Sequence, residues 1–462
     1  MNQYLALLIC ILFVVWLFAR DQKTRPMTSW VSWIVLVWIL IISIKPVTVW
    51  LDMTTPIIEK PEDYMEGSPF DRAIYFFLIF IGLMILVRRK PNWKIIFSSN
   101  LWLFVFFIYC GISIVWSDYP FVSLKRWIKD IGNIIIVLII LTDINPAQTF
   151  KAVFARFSYL VLPFSLLFIK YFPDLGRYYN RWTYEPYFCG VAGDKNALGA
   201  ISFISGLFLT WNVLELMSDN KKINKLEVLS HVLLLAMVFW LIFKSQSSTS
   251  LVCLLLGIVI LVLMQHPSAR KWARYLGTFG FFILFMATLL YSFPGVLESF
   301  VAIVGRDLTF TGRTDIWSAL LKEPINPLLG TGYQSFWLGP GAEHLWERYY
   351  FLPNQAHNGY LETYLNGGVI GLCLLVAAII ATGKNLKKEL LKGNSFGTLL
   401  FSFMVVFLLY NWTEAVFNKL SPIWFILLIA AFDHSRTLTK NVLNKSPHKL
   451  VKPRASGNVI LH

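Results

Sequence analysis

Residues 309–371 read TFTGRTDIWSALLKEPINPLLGTGYQSFWLGPGAEHLWERYYFLPNQAHNGYLETYLNGGVIG. The stretch carries no apolar run of membrane-spanning length until Gly359. Thr311 to Trp317 reads as a helix start, with Thr and Asp able to cap its first turn and Trp317 and Leu320 able to pack it down. Pro327, Gly330, Gly332 and Gly339 to Gly341 then break the chain into turns. Apolar runs follow one another to both sides of it. In hydrocarbon every backbone polar group must be satisfied internally, so turn-rich chain of this kind lies outside the bilayer while the runs around it cross as helices. The fold class is an all-α polytopic membrane protein with one long extracytoplasmic loop.

Composition agrees. Hydrophobic residues make up 56% of the chain and charged residues 15%, which excludes a water-soluble globule. Reading apolar runs against charge clusters gives about thirteen spans. They begin near residues 4, 30, 73, 97, 131, 156, 197, 228, 249, 275, 359, 396 and 421. The first run, Tyr4 to Ala19, lacks a basic leader and a small-residue cleavage site, so it reads as a retained helix. If it only lies in the interface, the count falls to about twelve and both chain ends share a side.

A net charge of +15 raises nucleic acid as a partner, but the bases fall in short clusters between spans and not along one surface. Arg20/Lys23/Arg25, Arg88/Arg89/Lys90/Lys94, Lys221/Lys222/Lys225, Arg270/Lys271/Arg274, Lys384/Lys387/Lys388/Lys392 and the C-terminal tail occupy every second loop. Positive charge marks the cytoplasmic side, so the C-terminus is expected there and residues 52–72, 117–130, 173–196 and 294–358 outside. The expected organisation is N-terminal helices 1–172, central helices with an outward arginine loop 173–293, the long loop 294–358, C-terminal helices 359–433 and a basic tail 434–462. The cysteines stand singly, four of them in apolar runs and Cys189 in a loop, so no disulfide framework is implied.

Among the outward loops, residues 52–72 are acidic and read as a solvated hairpin without chemistry. Residues 117–130 place Lys125, Arg126 and Lys129 on one face and fit an interfacial amphipathic helix touching anionic headgroups. In residues 173–199, Arg177 and Arg181 would share a face if the segment is helical, and the loop runs into Asp194, Lys195 and Asn196 at the next span. With Tyr178, Tyr179, Trp182, Tyr184 and Tyr187 beside them, these bases suit interfacial anchoring and diphosphate binding equally. Lys244 to Ser250 reads as a hairpin turn.

Arg313 and His357 are the candidates for chemistry. Arg313 stands near a helix start, where backbone donors favour an anion, and suits a phosphate clamp; an ion pair with Asp315 or Asp307 is the structural alternative. His357 precedes Asn358-Gly359 at the outer end of a span. The positive end of a helix dipole there favours the neutral imidazole that a general base requires, and helix capping is the plainer role. The outer loops show no metal-ligand spacing.

Together these pieces resemble the O-antigen ligase and exopolysaccharide polymerase superfamily of Wzy-C type. The resemblance lies in Thr311 to Trp317, Pro327 to Tyr333 with Phe336-Trp337, Ala356 to Leu361, and Gly368 to Gly371. Upstream it includes Gly176-Arg177, Gly193 to Gly199 and Ser245 to Ser247. The ordered set is most like the succinoglycan-polymerase (ExoQ-type) branch. One departure stands at Ser248, where a basic residue is common; Lys244 or another residue must supply that charge, or the substrate differs.

The resemblance implies a GT-C-like architecture and a multi-pass protein of the cytoplasmic membrane with its active site on the outer side. It implies transfer of an oligosaccharide from a polyprenyl diphosphate to a glycan or glycolipid acceptor, inverting and without metal or cofactor. His357 would be the base, and Arg313, Arg177, Arg181 and Lys195 would hold diphosphate, supported by Asn196, Asp315, Trp317, Asn358 and Glu362. Chain-length regulation and export proteins are the implied protein partners. Polymerase and ligase remain open alternatives, and a lipid transporter or flippase is the competing class, which usually shows internal repeats and ionisable groups deep in its spans.

Overall fold

A computed structural model describes residues 2–24, 29–51, 68–179, 184–218, 225–272, 275, 313–349 and 353–433. Arg181, Thr311, Gly312, Asp307, the tenth expected span, most of the acidic 52–72 loop and the tail 434–462 lie outside the described residues.

Among the described residues the protein is an all-α polytopic membrane protein with one short hairpin. Seven helices are long and apolar enough to cross a membrane. Trp93–Ser99 and Leu101–Trp116 are together apolar and long enough to cross but are bent by 90° at the break between them, the geometry of a broken span or a re-entrant loop. Val31–Ile41, Ser248–Leu263 and Pro422–Ala431 are shorter apolar helices. Each expected span outside the undescribed stretch has a helix at its place. The 117–130 segment differs from expectation: Pro120–Leu141 is one continuous helix, so the basic turn and the following span are a single rod. Asp130 and Asn133, both buried on it, bond to each other at 3.1 Å, which removes the polar break that would have ended it.

Burial separates central from peripheral helices. Pro146–Tyr171 and Lys195–Ser218 are each 78% buried over their apolar windows, against 17% for the first helix and 28% for Pro69–Arg89. The centre is aromatic, with Phe150 and Phe154 at 4.2 Å and Phe203 against Phe407 and Tyr410. Lipid tails are as apolar as these side chains, so close packing and polar pairs hold such helices together, not water exclusion. Arg156 shows the device: its Nε meets Asp21 Oδ2 at 2.8 Å, its Nη1 meets Ser32 at 3.0 Å, and all three residues are buried.

The segment that begins at Arg313 is tied to the membrane helices by a break in Gly359–Leu391. Gly368 sits at φ 61°, ψ −165°, a left-handed backbone position where a Cβ would lie 2.2 Å from the Leu328 carbonyl; only glycine fits. The break frees carbonyls and amides that the Pro327–Gly332 turn takes up. Thr331 and Gly332 donate to the carbonyls of Leu365 and Asn366, and Val369 and Ile370 donate to those of Pro327 and Leu328. Ile316, Leu320, Phe336, Trp337, Leu345, Ala356 and Leu365 form a small core of their own beneath this segment.

The arginine loop also differs from a helix. Arg177–Tyr179 pairs antiparallel with Pro186–Phe188, so alternation, not helical spacing, places its side chains. Residues 180–183 lie outside the described residues.

Candidate active site

Three of the residues singled out by sequence, Asn196, Arg313 and His357, meet on a carboxylate to which sequence reasoning gave no role. The Ser395–Thr413 helix ends where Glu414 turns to extended backbone. Asn411 fixes that turn: its Oδ1 accepts from the amides of Val416 and Phe417 at 3.1 and 3.2 Å. Glu414 is thereby held buried. Its Oε1 accepts from Arg313 Nη2 at 3.0 Å and from Asn196 Nδ2 at 3.1 Å, and its Oε2 faces His357 Nδ1 at 3.3 Å. Four chain segments, far apart in sequence, converge on this one group. A buried carboxylate needs such pairing, because desolvation of a lone charge is prohibitive.

His357 takes its place from its neighbours. Its φ is 48°, a conformation uncommon for residues with a side chain, and both backbone polar groups of the preceding residue, Ala356, are anchored. Trp317 Nε1 donates to the Ala356 carbonyl at 2.7 Å, and Glu362 Oε2 accepts from the Ala356 amide at 2.9 Å. Asn358 is the helix cap, its Oδ1 accepting from the amides of Tyr360 and Leu361. The capping role considered for His357 therefore belongs to its neighbour, because the imidazole points the other way, to Glu414. A carboxylate can only accept, so Nδ1 is the donor of this contact, and the His357 side chain is 29% exposed.

Glu362 is fully engaged. Besides the Ala356 amide it accepts from Trp337 Nε1 at 2.9 Å and stands 3.8 Å from Lys419 Nζ. It braces the 336–338 turn against the loop that carries His357.

Arg313 pairs with Glu414 and not with Asp315, whose side chain is exposed. The guanidinium also donates to the Thr413 carbonyl. Two of its five N–H groups are so used, fixing the plane while leaving others for an anion. The serine-rich turn joins the same place: Ser247 caps Ser248–Leu263, and Thr249 Oγ1 meets Thr413 Oγ1 at 2.9 Å. A Cβ on Gly199 would lie 2.5 Å from Ser250 Oγ, so glycine lets the Lys195–Ser218 helix close on that turn.

Lys195 and Arg177 lie to one side. Lys195 Nζ stands 4.2 Å from the Tyr187 ring centroid. Arg177 donates through Nε and Nη2 to the Ile169 carbonyl at 2.9 and 2.7 Å and stacks on Phe188, closing the end of the preceding helix. Lys244 also stands over Phe188, at 5.2 Å. Tyr178 and Tyr187 pack at 5.3 Å, and burial first of all pushes the Tyr178 hydroxyl up to about 12, so it stays a donor. Arg181 lies outside the described residues.

Glu414 escaped notice because it stands 57 positions from His357 and 101 from Arg313, at the end of a plain apolar run. The signal that could have found it is a lone acid closing an otherwise uncharged membrane helix.

Comparison with known proteins gives two findings. Residues 232–376 match the model of the O-antigen ligase family. Over 307 residues the chain is 28% identical to the exopolysaccharide production protein ExoQ of Rhizobium meliloti (strain 1021), covering 64% of this chain and 67% of that protein. The family match takes in Arg313, His357 and Glu362; Arg177, Lys195, Asn196 and Glu414 stand outside its limits. Residues 232–376 are therefore similar to the O-antigen ligase family, in a multi-pass membrane protein similar to an exopolysaccharide production protein.

Proposed function

We propose that this protein is an inverting membrane glycosyltransferase that moves an oligosaccharide from a polyprenyl diphosphate to a hydroxyl of a glycan acceptor, as a polysaccharide polymerase or ligase. The observation that carries the reading is one buried carboxylate, Glu414, shared by His357 and Arg313.

The reaction needs a base at the acceptor hydroxyl and positive charge at the departing diphosphate. His357 Nε2 takes the hydroxyl proton while the acceptor oxygen bonds to the anomeric carbon. The bond from that carbon to the diphosphate oxygen breaks, and the electron pair leaves with the lipid diphosphate. Glu414 holds the imidazole in the required tautomer and stabilises the imidazolium that forms, as an oriented carboxylate does for other histidine bases. Arg313 meets the growing charge on the diphosphate, with Lys195 close by on the helix that also supplies Asn196. One displacement inverts the anomeric centre, and the positive charge comes from side chains, without a metal.

We place this site on the outer face of the cytoplasmic membrane, with the C-terminus inside, from the charge bias of the alternate loops. The test is purified protein with a defined polyprenyl diphosphate oligosaccharide, scoring released lipid diphosphate together with lengthened glycan. Movement of the intact lipid across a vesicle bilayer with no lipid diphosphate released would instead establish the transporter reading.

A further inference from the structure

Asp130 is a buried acid that the glycosyl-transfer mechanism does not use, in the middle of the Pro120–Leu141 helix. A carboxylate there is costly unless its lone pairs are matched. Its Oδ1 accepts from Asn133 Nδ2 at 3.1 Å and from Trp424 Nε1 at 2.9 Å, and its Oδ2 accepts from the Tyr333 hydroxyl at 3.0 Å. Asn133 lies on the same helix and is held in turn by Trp38 Nε1, which donates to its Oδ1 at 2.9 Å. Trp424 and Tyr333 belong to segments that flank the candidate site.

Trp424 stands in the first turn of Pro422–Ala431, so it fixes the far end of the loop 414–421 that opens with Glu414. Asn411 fixes the near end. Between them the Asn418 carbonyl accepts from Gln334 Nε2, which also donates to the Tyr333 hydroxyl at 3.2 Å. A chain of hydrogen bonds thus joins Asp130 to Tyr333, Gln334 and the backbone just beyond Glu414. Charge sets its direction. A carboxylate only accepts, so Asp130 takes the one hydroxyl proton of Tyr333, in preference to the Asn418 carbonyl at 3.4 Å, and leaves the Tyr333 oxygen to accept from Gln334. The same helix grips this segment again one turn earlier, where Arg126 Nη1 donates to the Gln334 carbonyl at 2.5 Å.

The two residues that meet there both have left-handed backbone, Gln334 at φ 49° and Asn418 at φ 56°. Such positions persist where the surroundings over-determine them. An apolar residue at 130 would remove the cost of burying a charge, but it could order none of these donors.

We propose that Asp130 is a positioning residue: through Tyr333 and Trp424 it fixes the loop after Glu414, and with it the reach of the Glu414 carboxylate to His357. This rests on the glycosyl-transfer reading and adds to it a residue that touches no substrate. In Asp130→Asn the one remaining oxygen is claimed by Trp424 and Asn133, so the new amide turns its NH2 to Tyr333. The hydroxyl then accepts from that NH2 and sends its own proton to the Asn418 carbonyl, in competition with Gln334. The loop loses its fixed link, and Glu414 its fixed distance to His357.

The test uses the full chain in phosphatidylcholine nanodiscs with a defined polyprenyl diphosphate oligosaccharide. It measures kcat and donor KM for Asp130→Asn and Tyr333→Phe, each alone and combined with Glu414→Gln. Either variant alone is expected to lower kcat by about tenfold or more, the scale of a displaced reacting group, with donor KM unchanged. In the Glu414→Gln background neither should lower kcat further, because residues that act through one group lose its contribution only once. A residue that merely stabilises the fold would cost the same factor in both backgrounds, and that result would overturn the proposal. A raised donor KM at unchanged kcat, or normal kcat in Tyr333→Phe, would overturn it as well. Tyr333→Phe removes a single hydroxyl and decides alone if the Asp130 variant does not insert. Absence of transfer by the unaltered protein would instead sink the glycosyl-transfer reading.

Discussion

Glu414 Oε2 lies 3.3 Å from His357 Nδ1, and the other oxygen of that carboxylate lies 3.0 Å from Arg313 Nη2. The proposed base and the proposed diphosphate clamp thus share one anion. The Thr413 carbonyl holds the far side of the guanidinium, so the carboxylate is oriented before any substrate arrives. The consequences can be measured.

Glu414→Gln keeps the length of the side chain but sets an amide where three charged or polar donors converge. His357 loses its preferred tautomer and Arg313 its counter-ion. The expected result is a fall in kcat by roughly a hundredfold, the scale of a misplaced base, with most of the loss in kcat and not in donor KM. Unchanged kcat would remove Glu414 from the mechanism.

Glu362→Gln tests a carboxylate about one helical turn from His357 that could be taken for an alternative base. Both its oxygens accept, from Trp337 and from the Ala356 amide, and an amide offers only one acceptor. One donor is left unmatched, at about 1–3 kcal/mol, so the unfolding temperature should drop and kcat should fall less than in His357 variants. Turnover abolished with unchanged thermal stability would make Glu362 the base.

Gly368→Ala probes the docking of the outer segment. The left-handed backbone costs about 1–3 kcal/mol for a residue with a side chain, and the new methyl overlaps the Leu328 carbonyl. Limited proteolysis should cut the 327–335 segment faster and activity should be lost with it. Protease resistance equal to the unaltered protein would mean that the docked turn is not held by this break.

Sidedness is open to labelling in intact cells. A cysteine replacing Pro340, which is exposed in the outer segment, should react with a membrane-impermeant maleimide, and one replacing Lys392 should react only after the membrane is opened. The reverse pattern would put the site on the wrong side for its proposed substrates.

Much of the fold was legible because hydrocarbon imposes a simple rule, one apolar helix per crossing. The same rule hid what lies between crossings. The helix from Pro120 to Leu141 reads as two pieces because Lys129 and Asp130 interrupt its apolar run, yet Trp424 Nε1 at 2.9 Å and Tyr333 at 3.0 Å satisfy Asp130 from other segments, which no local pattern reveals. Arg177 and Arg181 share a helical spacing, but backbone pairing with Pro186–Phe188 decided the hairpin. Motifs located Arg313 and His357, whereas Glu414 has no motif around it and acquires meaning only when the chain brings three other segments to it.

The central claim is that His357 is the base, and His357→Asn tests it most directly. Asparagine tolerates the φ of 48° at this position, and Asn358 keeps the helix cap, so the variant should insert, melt normally and still bind polyprenyl diphosphate. Single-turnover transfer from a polyprenyl diphosphate oligosaccharide should nevertheless slow by roughly a hundredfold or more. Transfer at a near-normal rate in that variant would contradict the account.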